Sequence, residues 1–198
     1  MTRCFLGFEF TPSTLDYLRE RILPFHYRLV DELNWPLRLV RPENWHVTIL
    51  FFEGLDTPER NKVRERMEAL VSGNPLEGTA FGWKGFSLWP SPRKPSLICL
   101  EATQTTASLK WGLPISEPPF SKGHIHHFLE YRPHATLMRF KGKGRAMGKD
   151  WEALKKEMPV IQPEQIRVDR ISLFLSTLTR EKPVYPREFT LPINIKGS

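Results

Sequence analysis

Two copies of one six-residue pattern constrain this chain more than any other feature: His46-Val47-Thr48-Ile49-Leu50-Phe51 and His134-Ala135-Thr136-Leu137-Met138-Arg139. In each, a histidine and a threonine two apart head an apolar run. Such runs, rich in Val, Ile, Leu and Phe and preceded by turn residues, predict buried or half-buried β-strands. Side chains at i and i+2 of a strand share a face and lie roughly 6–7 Å apart. Each copy therefore presents an imidazole and a hydroxyl side by side. With six His and 13 Thr in 198 residues, chance supplies about 0.4 His-x-Thr matches, so the bare pattern is weak. Its context is stronger: both copies follow a turn with a nearby proline (Pro42 and Pro133). A hydrogen-bonded strand histidine beside an ordinary β-forming threonine explains one copy; two equivalent copies favour one composite site. Two such strands facing each other supply a general acid, a general base and two hydrogen-bond donors. That set suffices for phosphodiester chemistry without a metal.

The rest of the chain repeats a loose grammar around these strands. Residues 3–10 read as a strand. Leu15, Leu18, Ile22, Leu29, Val30 and Leu33 recur near helical spacing over 12–33, where Thr11 or Ser13 caps and Pro24 should kink or divide the helix. A short strand over 37–40 and a turn over 41–44 precede the first His-x-Thr strand, which ends near Gly54. A helix over 57–72 starts with Thr57 as cap and Pro58 at its first position, burying Val63, Met67, Leu70 and Val71. Strands over 79–89 and 96–101, a short helix over 103–112 and an irregular stretch to about 130 lead to the second His-x-Thr strand. A basic loop over 141–145, a helix over 149–157 and two strands over 165–176 and 184–195 complete the chain. The two histidines stand 88 positions apart (134 minus 46), as a duplicated unit of about half the chain would place them.

Composition bounds the function classes. The chain is 40% apolar and 26% charged, ordinary for a globular domain with a substantial core. The formal charge of +7 suits a polyanionic partner, nucleic acid above all, but equally a solubilising surface. Cys4 and Cys99 sit in apolar runs without metal spacing and read as small buried hydrophobes of a reducing compartment. No segment approaches the roughly 20 apolar residues that span a bilayer, and MTRCFLGFEF lacks the long apolar stretch of a signal peptide and carries Glu9 within its run. A soluble cytoplasmic protein without a membrane partner is expected. His124, His126 and His127 lie within four residues, yet only Glu130 could complete a ligand set, so a loop without metal is expected.

These residues resemble the 2H phosphoesterase superfamily, named for its paired His-x-Thr/Ser motifs. Within it the chain is most similar to the LigT-like RNA 2′,3′-cyclic phosphodiesterases, formerly called 2′-5′ RNA ligases. The resemblance runs from Arg3-Cys4-Phe5-Leu6-Gly7-Phe8 through Asn44-Trp45-His46 to Gly54, and on through Phe86-Ser87-Leu88-Trp89-Pro90 and Pro95-Ser96-Leu97-Ile98. It continues in Tyr131-Arg132-Pro133-His134 to Arg139 and closes with Ile171-Ser172-Leu173-Phe174-Leu175-Ser176 and Tyr185.

The resemblance implies a single α+β domain over 1–198: a bilobal, duplicated unit with two antiparallel sheets facing a central cleft and helices outside. It implies metal-independent, cofactor-free hydrolysis of a terminal 2′,3′-cyclic phosphate to a 2′-phosphate, with RNA ends, tRNA fragments among them, as substrate of a monomer. His46 and His134 would be the catalytic pair, with the acid and base roles unassigned. Thr48 and Thr136 would bind the phosphate oxygens, Arg139 would add a cationic phosphate contact, and Phe51 would stack on the nucleobase. Strict alternation, however, turns residues 51 and 139 to the face opposite their histidines, so a twist or bulge must intervene. Rival expectations are a 2′-5′ phosphodiesterase or ligase, a nucleotide cyclic phosphodiesterase, and a non-catalytic RNA-binding module.

Overall fold

The computed structural model describes residues 1–73, 76–77, 81–104, 133–142, 148–178, 183–193 and 195–196. Helix 103–112, the irregular stretch to 130, the three histidines at 124–127 and most of the basic loop lie outside these residues, except that 103 and 104 end a strand.

The fold is α+β, with an eight-stranded antiparallel sheet. Its strands are β1 (Thr2–Phe10), β2 (Leu37–Leu39), β3 (His46–Leu55), β5 (Phe81–Trp89), β6 (Leu97–Gln104), β7 (His134–Phe140), β8 (Val168–Leu175) and β11 (Arg187–Pro192). The order is β11-β8-β1-β3-β7-β6-β5, with β2 on β7 as well. Two small pairs stand apart, β9 (Thr177–Leu178) with β10 (Pro183–Val184) and β4 (Leu76–Glu77) with β12 (Ile195–Lys196). The single closing strand expected over 184–195 is thus broken into three short pieces. Pro186 and Pro192 cannot donate to a ladder, which confines pairing around them.

Among the described residues three α-helices accompany the sheet: α1 (Pro12–Tyr27), α2 (Thr57–Gly73) and α3 (Gly148–Lys155). Thr11 caps α1, accepting from Thr14 N at 3.2 Å, as its position before Pro12 predicts. Thr14 is buried and ties α1 to the sheet: its hydroxyl donates to the Gln165 carbonyl at 2.8 Å and accepts from Arg167 N at 2.9 Å. Pro24 does not divide the helix. The α-helix continues to Tyr27 and widens into a π-helix over Arg28–Glu32. Leu18, Ile22, Phe25 and Leu29 are buried along one stripe, and burying each large side chain gives about 1.5–3 kcal/mol. Together they outweigh the roughly 3 kcal/mol that an interior proline costs.

The expected pair of separate sheets is replaced by one continuous sheet, because β3 and β7 join at the pair Val47↔Ala135. Beyond that pair the strands part company. Both carry a bulge just past it. Leu6 and Gly7 are adjacent in β1 but oppose Leu50 and Thr48, leaving Ile49 as the extra residue in β3. Ile98 and Cys99 are adjacent in β6 but oppose Met138 and Thr136, leaving Leu137 extra in β7. A bulge bends its strand and sharpens the local twist, so the ladder between β3 and β7 stops. β2 takes up the freed edge: Leu37, Arg38 and Leu39 oppose Phe140, Arg139 and Met138, and Val40 N donates to the Leu137 carbonyl at 2.8 Å.

Candidate active site

The bulges decide which side chains share a face. In β3 the partly exposed residues are His46 and Thr48, followed after two buried residues by Phe51 and Glu53. In β7 they are His134 and Thr136, followed after two buried residues by Arg139. One extra residue per strand thus moves positions 51 and 139 onto the face of their histidines, as the offset of five requires. All six expected side chains line one cavity of about 450 Å³: His46, Thr48, Phe51, His134, Thr136 and Arg139. Antiparallel pairing about Val47 and Ala135 sets residue 46 toward 136 and 48 toward 134, so each histidine is brought near the other strand's threonine.

The His46 ring is held on every side. Its Nδ1–H donates to the Asn44 carbonyl at 2.7 Å, and Thr48 Oγ1 lies 3.1 Å from its Nε2. A carbonyl only accepts, so Nδ1 carries the proton and Nε2 holds the lone pair in the neutral ring. The carbonyl belongs to a one-turn 3-10 helix over Pro42–Asn44 that starts with a proline and leads straight into β3. Phe5 stacks on the imidazole at 4.7 Å, Phe174 lies at 5.2 Å, and Tyr185 meets it edge-on at 6.1 Å. Burial among these rings lowers the His46 pKa to about 4, helped by the His134 and Arg139 charges; the Asn44 bond and Glu9 oppose it. His46 is therefore a neutral imidazole at pH 7.

His134 has an aromatic floor too, Trp89 stacked at 4.3 Å. Behind the first histidine, Glu9 opposes His46 across β1 and β3. Glu9 is buried, accepts from the Ser172 hydroxyl, and takes three bonds from Arg187, two from Nε at 3.0 Å and one from Nη2 at 2.6 Å. Burial alone would raise its pKa, but the bonds from Arg187 and Ser172 hold it below the ordinary value. Glu101 occupies the matching register position opposite His134.

Phe5, Arg38, Arg41, Ser176 and Tyr185 also line the cavity, and among the described residues none that lines it is acidic. Among the described residues no group of three or more His, Cys, Asp and Glu is arranged to hold a metal ion. The cavity therefore offers two imidazoles, hydroxyls and guanidiniums, which suits an anionic ligand with transferable protons.

A model of the "LigT like Phosphoesterase" family matches residues 17–99. An Aeropyrum pernix protein named RNA 2′,3′-cyclic phosphodiesterase is 27% identical over 154 residues, covering 76% of this chain and 82% of the relative. One of the same name from Aquifex aeolicus is 23% identical over 188 residues, covering 93% and 94%. The chain is similar to the LigT-like phosphoesterases. Escherichia coli LigT complexed with 3′-AMP shares the fold at a TM-score of 0.60 and 16% identity, over 97% of this chain and 98% of that one.

The motif residues that line the cavity were readable from the sequence pattern. Arg38 and Arg41 were not: a three-residue strand and a turn gave no chemical signal. Their only clue was two arginines flanking Leu39-Val40, meaningful once β2 is known to pair with β7. The role of Asn44 is invisible in sequence because it acts through its backbone.

Proposed function

We propose that this phosphoesterase hydrolyses the terminal 2′,3′-cyclic phosphate of RNA to a 2′-phosphate, with His46 as general base and His134 as general acid. The reading is carried by one observation: both histidines and both threonines line a single cavity, to which the described residues contribute no carboxylate. The names of the relatives support the substrate. The Nδ1–H tautomer of His46 leaves Nε2 free to take a proton from water. As that proton leaves, the water oxygen bonds to phosphorus and the P–O3′ bond breaks. The departing electron pair stays on O3′, which takes a proton from the His134 imidazolium. A 3′-hydroxyl and a 2′-phosphate result, and solvent restores both rings.

Thr48 gives up its contact with Nε2 and donates to a non-bridging oxygen, with Thr136 doing the same from the other strand. Such donors count most where charge builds in the transition state. Arg139 offsets that charge. Phe51 is 48% exposed at the cavity, an open ring for the terminal nucleobase, and base–aromatic stacking is worth about 1–3 kcal/mol. Proton transfer by two imidazoles makes the reaction independent of a metal, and the two half-chains act as one domain.

The test incubates the protein with 2′,3′-cyclic-phosphate RNA and EDTA. The expected result is release of a 2′-phosphate end, lost in both His46→Ala and His134→Ala. Activity at the normal rate in either variant, or strict dependence on added metal, overturns the reading. A panel of RNA lengths, mononucleotide cyclic phosphates and 2′-5′ linkages separates the reading from a nucleotide phosphodiesterase or a 2′-5′ ligase.

A further inference from the structure

One phosphate between the histidines accounts for the His-x-Thr strands and, with Arg139, for their charge. It does not account for Arg38 and Arg41. Both are exposed and both line the same cavity. Arg38 directly opposes Arg139 across β2 and β7. Side chains at opposed positions share a face about 4.5–5.5 Å apart at Cβ, and like charges there destabilise the sheet. Among the described residues, none of these three guanidiniums has a carboxylate partner, whereas Arg19, Arg28, Arg60, Arg64 and Arg187 all have one. Among the described residues nothing relieves the repulsion, and no acidic one lines the cavity.

The arrangement is also displaced from the chemistry. Arg139 lies three residues beyond Thr136, roughly 8–10 Å along the strand. β2 is pinned there by the bond from Val40 N to the bulged Leu137 carbonyl, which sets Arg41 immediately after it. We infer that Arg38 and Arg41 form a second phosphate subsite, which binds the internal phosphodiester next to the terminal cyclic phosphate of the RNA. This rests on the proposed cyclic-phosphate reading. The anion would lie over the Arg38–Arg139 pair and turn a repulsive contact into a shared bidentate one, the geometry guanidiniums favour for phosphate. The enzyme then prefers a chain of two or more nucleotides to a mononucleoside 2′,3′-cyclic phosphate.

Three substrates test it: a mononucleoside 2′,3′-cyclic phosphate, a dinucleotide ending in one, and the same dinucleotide with an uncharged methylphosphonate internal linkage. The wild-type enzyme should favour the charged dinucleotide by at least about tenfold in kcat/KM, through KM, and treat the methylphosphonate like the mononucleotide. Arg38→Gln with Arg41→Gln should cost the charged dinucleotide about tenfold or more and the other two less than about threefold, with Arg38→Lys restoring part of the loss. Equal losses on all three substrates, or no wild-type preference for the charged dinucleotide, overturns the subsite.

A binding arm stands apart from catalysis. A fluorescein-labelled dinucleotide with a 3′-phosphate is titrated at several salt concentrations. The log–log salt slope should fall by about one for each arginine removed. An unchanged slope overturns the subsite. If no substrate is hydrolysed but the slope falls, the cyclic-phosphate reading fails and the subsite stands.

Discussion

The two His-x-Thr strands are built alike and equipped differently. Each places its histidine opposite a glutamate, Glu9 or Glu101, stacks it on an aromatic ring, Phe5 or Trp89, and bulges three residues later, at Ile49 or Leu137. The bulge brings position five after the histidine to the cavity in both. There the likeness ends, for one strand offers the apolar ring of Phe51 and the other the charge of Arg139. On the first strand, His46 is locked by the Asn44 carbonyl and held neutral by burial. A repeated backbone device thus supports unlike side chains, as a reaction needs when one face must accept a proton and the other give one.

If the halves are complementary, removing either histidine should be about equally damaging. His46→Ala and His134→Ala should each lower kcat by about 10²–10⁴-fold, the range for a lost general acid or base, in single-turnover assays on cyclic-phosphate RNA. Retention of activity in one variant alone would break the comparison. The position-five residues should then separate by parameter. Arg139→Gln should lower kcat/KM by about a hundredfold with a large share in kcat, because it answers charge that grows in the transition state. Phe51→Ala should cost about tenfold, almost wholly in KM.

Smaller effects sharpen the contrast between the strands that back each motif. Gly7 opposes Thr48, and Cys99 opposes Thr136. A Cβ on Gly7 would lie 3.2 Å from His46 Cδ2 and 3.3 Å from both Phe174 and the Val47 carbonyl. Gly7→Ala should therefore shift the His46 ring and lower kcat about three- to tenfold, whereas Cys99→Ala should leave kcat within about twofold. Glu9→Gln should move activity least. It weakens the bond to a half-exposed Arg187, costing about 1–2 kcal/mol in urea unfolding.

Much of the site was legible because strand periodicity and side-chain chemistry are local properties. The pairing of His46 with Thr48 and of His134 with Thr136 followed from alternation, and the need for a twist or bulge before residues 51 and 139 from alternation set against the family resemblance. The helices at 12–27 and 57–73 lay in their apolar spacing and caps. What escaped depends on distant backbone. The single bridge Val47↔Ala135 merges the two expected sheets into one, and no local pattern encodes one pair between residues 88 apart. Arg38 gained meaning only by opposing Arg139, some 100 residues away in sequence. The Asn44 carbonyl that fixes the tautomer belongs to the main chain, which residue identities do not distinguish.

The division of labour between the halves is tested most directly by the pH dependence of kcat/KM on a dinucleotide ending in a 2′,3′-cyclic phosphate. His46 must be neutral to act as base. Its folded-state pKa, lowered from 6.5 to about 4, keeps it neutral until the solution is strongly acidic, and activity falls as pH drops through that value. An acidic limb near pH 4 is the expected result. An acidic limb near 6.5, or a profile without one in the range where the enzyme stays folded, would contradict the assignment of His46 as the buried, neutral base.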